Sequence, residues 1–254
     1  MTPEDPPGFL VRSEIEQAAH RHGWLLEQGT QGAWICRASR HLPGNVWVGG
    51  VEGGRGPFFL ALDHPGVVEE IELDRIDLPG PGLARFLLAD ADALHGALAR
   101  AWDLSKALPD HPLRRFEQET TGLPRETEAE RLVVQRVGQE IFRESLMAYW
   151  GARCPLTGIT DTALLRASHI KPWRDCATDA ERLDPFNGLL LSALWDAAFD
   201  AGLLTFEDTG EAVLSTSLSQ SAANSLGAPA PVRLTDRHRA YLSWHRQRVF
   251  KVAE

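Results

Sequence analysis

Apolar positions along the chain change their period several times, and each change marks a predicted element. A short helix over EIEQAAHRHGW, capped by Ser13, comes first. Three β-rich segments follow, AWICRAS, NVWVGGV and PFFLAL, separated by Gly, Pro and Asn. From Leu83 to Leu104 the residues Phe86, Leu87, Leu94, Leu98 and Trp102 recur at helical spacing, which predicts a helix there. The stretch LPDHPLRRFEQETTGLPRE then breaks the pattern: it is polar, charged and without a sustained period, so residues 109–126 read as a linker. Periodicity returns in TEAERLVVQRVGQEIFRESLMAYW, which places Val133, Val137, Ile141, Leu146 and Trp150 near one face of a long amphipathic helix. LLRASHI and GLLLS read as strands with a loop through Asn187 between them, and ALWDAAFDAG as a helix. LLTFEDTGEAVLS has the form of a hairpin turning at Asp208–Gly210, and LTDRHRAYLSWHRQRVF that of a closing helix. The pattern therefore predicts an α+β protein, with a small α+β domain over residues 1–108 and a second domain over 127–254 whose centre runs strand, strand, helix.

Composition narrows this picture in two ways. With 43% hydrophobic and 24% charged residues, the 254-residue chain has the make-up of globular domains. No run approaches the roughly 20 apolar residues of a membrane span, and MTPEDPPGFLVRSE lacks the basic start and apolar run of a secretory signal, so no membrane role and a cytoplasmic location are expected. Cys36, Cys154 and Cys176 are too few and too scattered for a disulfide framework or a four-cysteine zinc site. The net charge of −9 speaks against a general nucleic-acid binder until it is divided along the chain. Residues 131–254 hold 14 of the 26 basic and 14 of the 35 acidic residues, which leaves 12 and 21 in residues 1–130. The excess acid lies entirely in the first half.

Hydrolysis of a phosphodiester needs a base to activate water, a cation to neutralise charge on the phosphate and leaving oxygen, and a group to hold the base. His169 ends an apolar strand, where an imidazole that titrates near neutrality suits a general base. Asn187, in DPFNGLLL, can accept a hydrogen bond from one ring nitrogen and fix the tautomer. Asp196, nine residues further on, offers an oxygen ligand suited to Mg²⁺ or Mn²⁺, and Asp200 lies one helical turn later. Each has a bland alternative: a satisfied polar residue for His169, a turn residue for Asn187, a helix-surface acid for either aspartate. His238 and His245 share one face of the last helix and read as solvated.

Five short elements occur in order: QRVGQEIFR (135–143), CPLTG (154–158), SHIKPW (168–173), NGLLL (187–191) and FDAGLLTF (199–206). In these the second half of the chain resembles the restriction-type branch of the HNH endonuclease family. The resemblance implies a ββα-metal core with flanking helices, in which His169 activates water, Asn187 orients it, and Asp196, standing where many relatives have histidine, helps to bind the cation. Many relatives also carry a metal-binding acid where this chain has Ser168, so a further ligand is expected from Asp200, Asp175, Asp184, water or the DNA phosphate. Relatives with paired CxxC knuckles hold the fold with structural zinc; with Cys154 alone, none is expected here. DNA is the implied partner, and restriction or modification-dependent defence the implied setting. The first domain is then expected to select the target, with Trp24, Trp34, Arg37, Arg40 and Trp47 as candidate contacts, or to bind a protein partner. A catalytically impaired DNA-binding scaffold and a nuclease effector under a partner's control are the alternative readings.

Overall fold

A computed structural model describes residues 1–124 and 126–251. The fold mixes helix and strand, and the chain divides into two compact units, Met1–His111 and Pro112–Glu254. Among the described residues, no helix is long and apolar enough to cross a membrane.

The first unit is built on a five-stranded antiparallel sheet in chain order: β1 (Leu26–Gln31), β2 (Trp34–Ala38), β3 (Asn45–Gly50), β4 (Phe58–Leu62) and β5 (Ala84–Leu88). Helices α1 (Phe9–Arg21), α2 (Pro65–Glu70) and α3 (Ala91–Ala107) accompany it. Three expectations change here. Helix α1 begins at Phe9 with Gly8 at its N-cap, so Ser13 lies inside the helix, whose buried face is Val11, Ile15, Ala18 and Ala19. Strand β1 gave no apolar signal because five of its six residues are exposed. The helix predicted from Leu83 is interrupted: residues 84–88 form β5, with Ala84, Phe86 and Leu88 buried and the strand paired to β4. The Asp90 side chain then accepts from the amide of Ala93 at 2.9 Å and starts α3. Trp24 and Trp34 are core residues, with the Trp24 indole donating to the Leu98 carbonyl at 3.1 Å, which removes both as surface contacts.

The second unit begins in α4 (Asp110–Thr120), which occupies most of the expected linker. Its Phe116 is 2% exposed and joins a core with Ile141, Phe142, Leu146, Leu165 and Leu190, so one buried aromatic side chain anchors an otherwise polar helix. Helix α5 (Glu128–Tyr149) starts with a capping box between Thr127 and Glu130. It buries Val134, Gly138, Ile141, Phe142, Ser145, Leu146 and Tyr149; of the predicted face Ile141 and Leu146 are buried and Val137 and Trp150 pack against the same core, while Val133 is 52% exposed. Two glycines explain the register. A Cβ on Gly138 would stand 2.4 Å from the Trp173 ring, and one on Gly188 would stand 2.5 Å from Phe142, so both mark places where elements touch too closely for a side chain.

Strand β6 (Leu165–His169) pairs antiparallel with β7 (Gly188–Ser192), with His169 opposite Gly188. The connection between them contains the single-turn α6 (Asp179–Arg182), and α7 (Ala193–Asp200) follows β7 directly, giving the expected strand, strand, helix order. Strands β8 (Leu204–Phe206) and β9 (Ala212–Leu214) form the predicted hairpin; α8 (Gln220–Leu226) and α9 (Asp236–Arg248) complete the described unit. A second core, with Ile170, Leu189, Trp195, Phe199, Phe206 and Leu242, lies between α7, the hairpin and α9.

Candidate active site

The register of β6 decides what faces what. Leu165 and Ser168 are buried, and His169 at the strand end is partly buried and lines a cavity of about 570 Å³. The imidazole is held on three sides. Its ring stacks on Phe142 with centroids 3.7 Å apart and planes 15° from parallel, and it meets the Trp173 ring edge-on at 5.7 Å. On the third side Nε2 lies 2.9 Å from the backbone carbonyl oxygen of Arg182. A carbonyl only accepts, so Nε2 carries the hydrogen and Nδ1 keeps its lone pair. Burial pushes the imidazole down to about 4, partly opposed by the Arg182 carbonyl, so the ring is neutral at physiological pH.

Asn187 is fully buried, and among the described residues its side chain makes no hydrogen bond to the His169 ring, whose tautomer is set by Arg182 instead. Its amide ties down the connection between β6 and α6. Oδ1 accepts from the Lys171 amide at 2.8 Å, while Nδ2 faces the carbonyls of Lys171 and Glu181 at 3.2 and 3.1 Å and the Cys176 sulfur at 3.3 Å. The same segment is braced by an ion pair between Lys171 and Glu181 at 2.6 Å. Asn187 therefore orders the segment that delivers the Arg182 carbonyl to His169, a contribution one step removed from the expected one.

The two aspartates stand on successive turns of α7. The Ser168 hydroxyl donates a hydrogen bond to Asp196 Oδ1, so the residue standing in place of a family acid orients another acid. Asp200 borders the same cavity as His169, Trp173 and Arg174, whose side chain is 87% exposed. Burial, and then the charge of Asp196, push the Asp200 carboxyl up to about 6. Asp196 does not line the cavity wall, and Asp184 is turned to other work, pairing with Arg237 at 3.2 Å and accepting from Tyr241 at 3.2 Å.

Among the described residues no group of three His, Cys, Asp or Glu side chains is arranged to hold a metal ion. Two neighbouring carboxylates, one with a raised pKa, nevertheless fit a hard divalent cation such as Mg²⁺ or Mn²⁺, which binds through one or two carboxylates and takes its remaining oxygens from water and phosphate. Pattern reasoning missed the Arg182 carbonyl, which leaves no mark in a sequence, and misjudged His238 and His245. Both are buried, at 0% and 1% exposure, with His238 among Tyr149, Trp150 and Phe186 and His245 stacked on Phe199.

Comparison with known proteins bears on residues 154–207, which match the family model described as HNH endonuclease. A solved structure described as a modification dependent TagI restriction endonuclease is similar at 22% sequence identity and a TM-score of 0.31; the match covers 43% of this chain and 37% of that one. No curated protein matches. The segment that matches the HNH endonuclease model contains β6, β7 and α7 with His169, Asn187, Asp196 and Asp200.

Proposed function

We propose that this protein is a divalent-cation-dependent DNA endonuclease, with His169 as general base and Asp196 and Asp200 as cation ligands. The observation that carries the reading is the His169 ring: Nε2–H is committed to the Arg182 carbonyl, and the neutral Nδ1 is left to take a proton at the edge of a cavity that also contains Asp200. The reaction balances simply. The oxygen of a water molecule bonds to phosphorus, its proton passes to Nδ1, and one phosphorus–oxygen ester bond breaks, its leaving oxygen departing as a hydroxyl with a proton taken from water. The Arg182 carbonyl stabilises the imidazolium that forms, Ser168 keeps Asp196 oriented, and the exposed Arg174 is placed to contact a phosphate. A bound cation supplies positive charge for the phosphate and the leaving oxygen.

Target selection is assigned to residues 1–111, within the acidic half of the chain, and defence against foreign or modified DNA is the biological setting in which such a division of labour is useful. One experiment tests both parts: full-length protein and residues 112–254 are incubated with plasmids carrying different base modifications, in Mg²⁺, Mn²⁺ or chelator. Cation-dependent cleavage by both proteins is expected, with preference among plasmids only for the full chain. Cleavage that persists in chelator overturns the cation assignment, and equal preference by the shorter protein moves selection into the nuclease unit.

A further inference from the structure

Helix α5 lies outside the matched segment, and its QRVGQEIFR stretch carries a side chain at the cavity that the mechanism above leaves unused. Three positions of that stretch face the site. Phe142 stacks on the His169 ring, Gly138 admits the Trp173 ring against the backbone, and Gln135 lines the cavity together with His169, Arg174 and Asp200. Steps of three and seven residues keep 135, 138 and 142 on one side of an α-helix, so Gln135 extends the site-facing stripe by one turn. Packing accounts for the first two positions. It does not account for Gln135, which is partly buried and whose amide no hydrogen bond engages among the described residues.

The surrounding wall includes Ala167, Ile170, Pro172 and Val249, so the polar chemistry of the cavity rests on a few side chains. His169 and Asp200 are taken by the proposed reaction, Arg174 reaches outward at 87% exposure, and the His245 Nδ1 lies 3.0 Å from the Thr205 hydroxyl. Gln135 remains. A primary amide always carries two N–H donors and a carbonyl acceptor, so neither tautomer nor protonation decides what it can offer. It is also neutral. A neutral donor near a cation site adds a hydrogen bond to an anion without repelling the cation from Asp200.

We propose that Gln135 is a further substrate-contacting residue of this site, its side-chain N–H donating to a non-bridging phosphate oxygen of the DNA backbone beside the scissile bond. The inference rests on the nuclease reading, in which His169 and Asp200 hold the scissile phosphate in this cavity. A side chain on the same wall meets the sugar–phosphate chain there before it meets the edge of a base, and most protein–DNA hydrogen bonds go to that backbone. The contact positions the DNA without reading its sequence.

The test uses the full chain, plasmid DNA and Mn²⁺, with kcat/KM per folded protein, its salt dependence and the half-saturating Mn²⁺ concentration as readouts. Gln135→Met keeps the length and packing of the side chain and removes the amide, whereas Gln135→Lys supplies an N–H donor on a stem of similar reach. Gln135→Met is expected to lower kcat/KM by about 10- to 100-fold, the range for a hydrogen bond to a charged group, and by the same factor at every cut site. Gln135→Lys should recover most of that loss at low salt. Its added charge should also steepen the fall of kcat/KM with salt by about one unit of log–log slope, with the Mn²⁺ requirement unchanged in both variants. Wild-type kcat/KM in Gln135→Met makes the amide a packing group, and equal losses in both variants remove the donated hydrogen bond. A loss confined to certain cut sequences makes Gln135 a base-reading residue, and a raised Mn²⁺ requirement makes its carbonyl a cation ligand. Each of these four results overturns the contact. Met and Lys are both good helix formers, and should Gln135→Met fail to fold, Gln135→Leu takes its place with the same expectations. If wild-type protein cuts nothing, the nuclease reading falls by itself. Equilibrium binding of plasmid DNA then decides the contact, with weaker binding by Gln135→Met expected and equal or undetectable binding by both proteins overturning it.

Discussion

Asp200 carries the tension of this site in one side chain. Its folded pKa of about 6 stands above the ordinary 3.8, so the folded state holds that proton more tightly than the unfolded chain. The sign follows from linkage: Asp200 disfavours folding increasingly as pH rises from about 4 to 6, and the whole penalty is present above 6. Asp200→Asn is therefore expected to melt at a higher temperature than wild type at pH 7.5, with the gap closing below pH 4. Added Mn²⁺ should raise the melting temperature of wild type and leave Asp196→Asn/Asp200→Asn unchanged. A wild-type protein that Mn²⁺ does not stabilise would remove the cation from these carboxylates. His169 and the two aspartates could be named from the sequence because their chemistry is in the side chains and their order is set by the chain; their roles stay proposals that the mutants above and below test. The partner of His169 was not legible: a backbone carbonyl has no residue type, and Arg182 lies thirteen residues away through a turn held by Asn187, the Lys171–Glu181 pair and the Arg182 side chain itself.

At the scale of elements, the packing of α5 on the site segment fixes the position of the His169 ring. Phe142 stacks on His169 from this helix, and Gly138, one turn earlier, lets the Trp173 ring close against the backbone. Gly138→Ala must displace that ring. Overpacking of this kind costs roughly 1–3 kcal/mol, and because Trp173 is also the edge partner of His169, cleavage should slow in protein that remains folded. Denaturant melts beside single-turnover cleavage check both effects, and a variant with unchanged stability and rate would show that Trp173 yields freely. The helix and most of its packed face were legible from its period, but Gly138 was not: an apolar count favours the exposed Val133 over a residue whose missing side chain marks the closest contact. Strand β5 was hidden in the same way. Phe86 and Leu87 fit a helical stripe with Leu94 and Leu98, and only pairing with β4 and the Asp90 cap separate strand from helix. Where the sequence showed strict punctuation, as at Asp208–Gly210, the hairpin formed as read.

For the whole molecule, three buried histidines in the second unit set its response to acid. His169, His238 and His245 are held by burial to about 4, 3 and 4, well below the 6.5 of an exposed imidazole. Each is neutral when folded and takes up a proton on unfolding once pH falls below 6.5, so residues 112–254 lose stability from about pH 6.5 down to about 4, partly offset by Asp200. Fluorescence melts of that unit across pH 4–7 should show a fall set by nearly three protons, and a flat profile would mean that the rings are hydrated. The sequence suggested a linker over residues 109–126 from its proline and glycine punctuation, and α4 was not visible there because only a few of its residues, Phe116 foremost, are buried in an otherwise polar helix. The central claim concerns the purpose of the second unit, and single-turnover cleavage of plasmid DNA in Mn²⁺ by wild type and His169→Ala tests it most directly. The account predicts a rate lower by about 10²–10⁴-fold in the variant, with DNA binding and folding retained. Equal rates from the two purified proteins, with contaminating nuclease excluded, would contradict it.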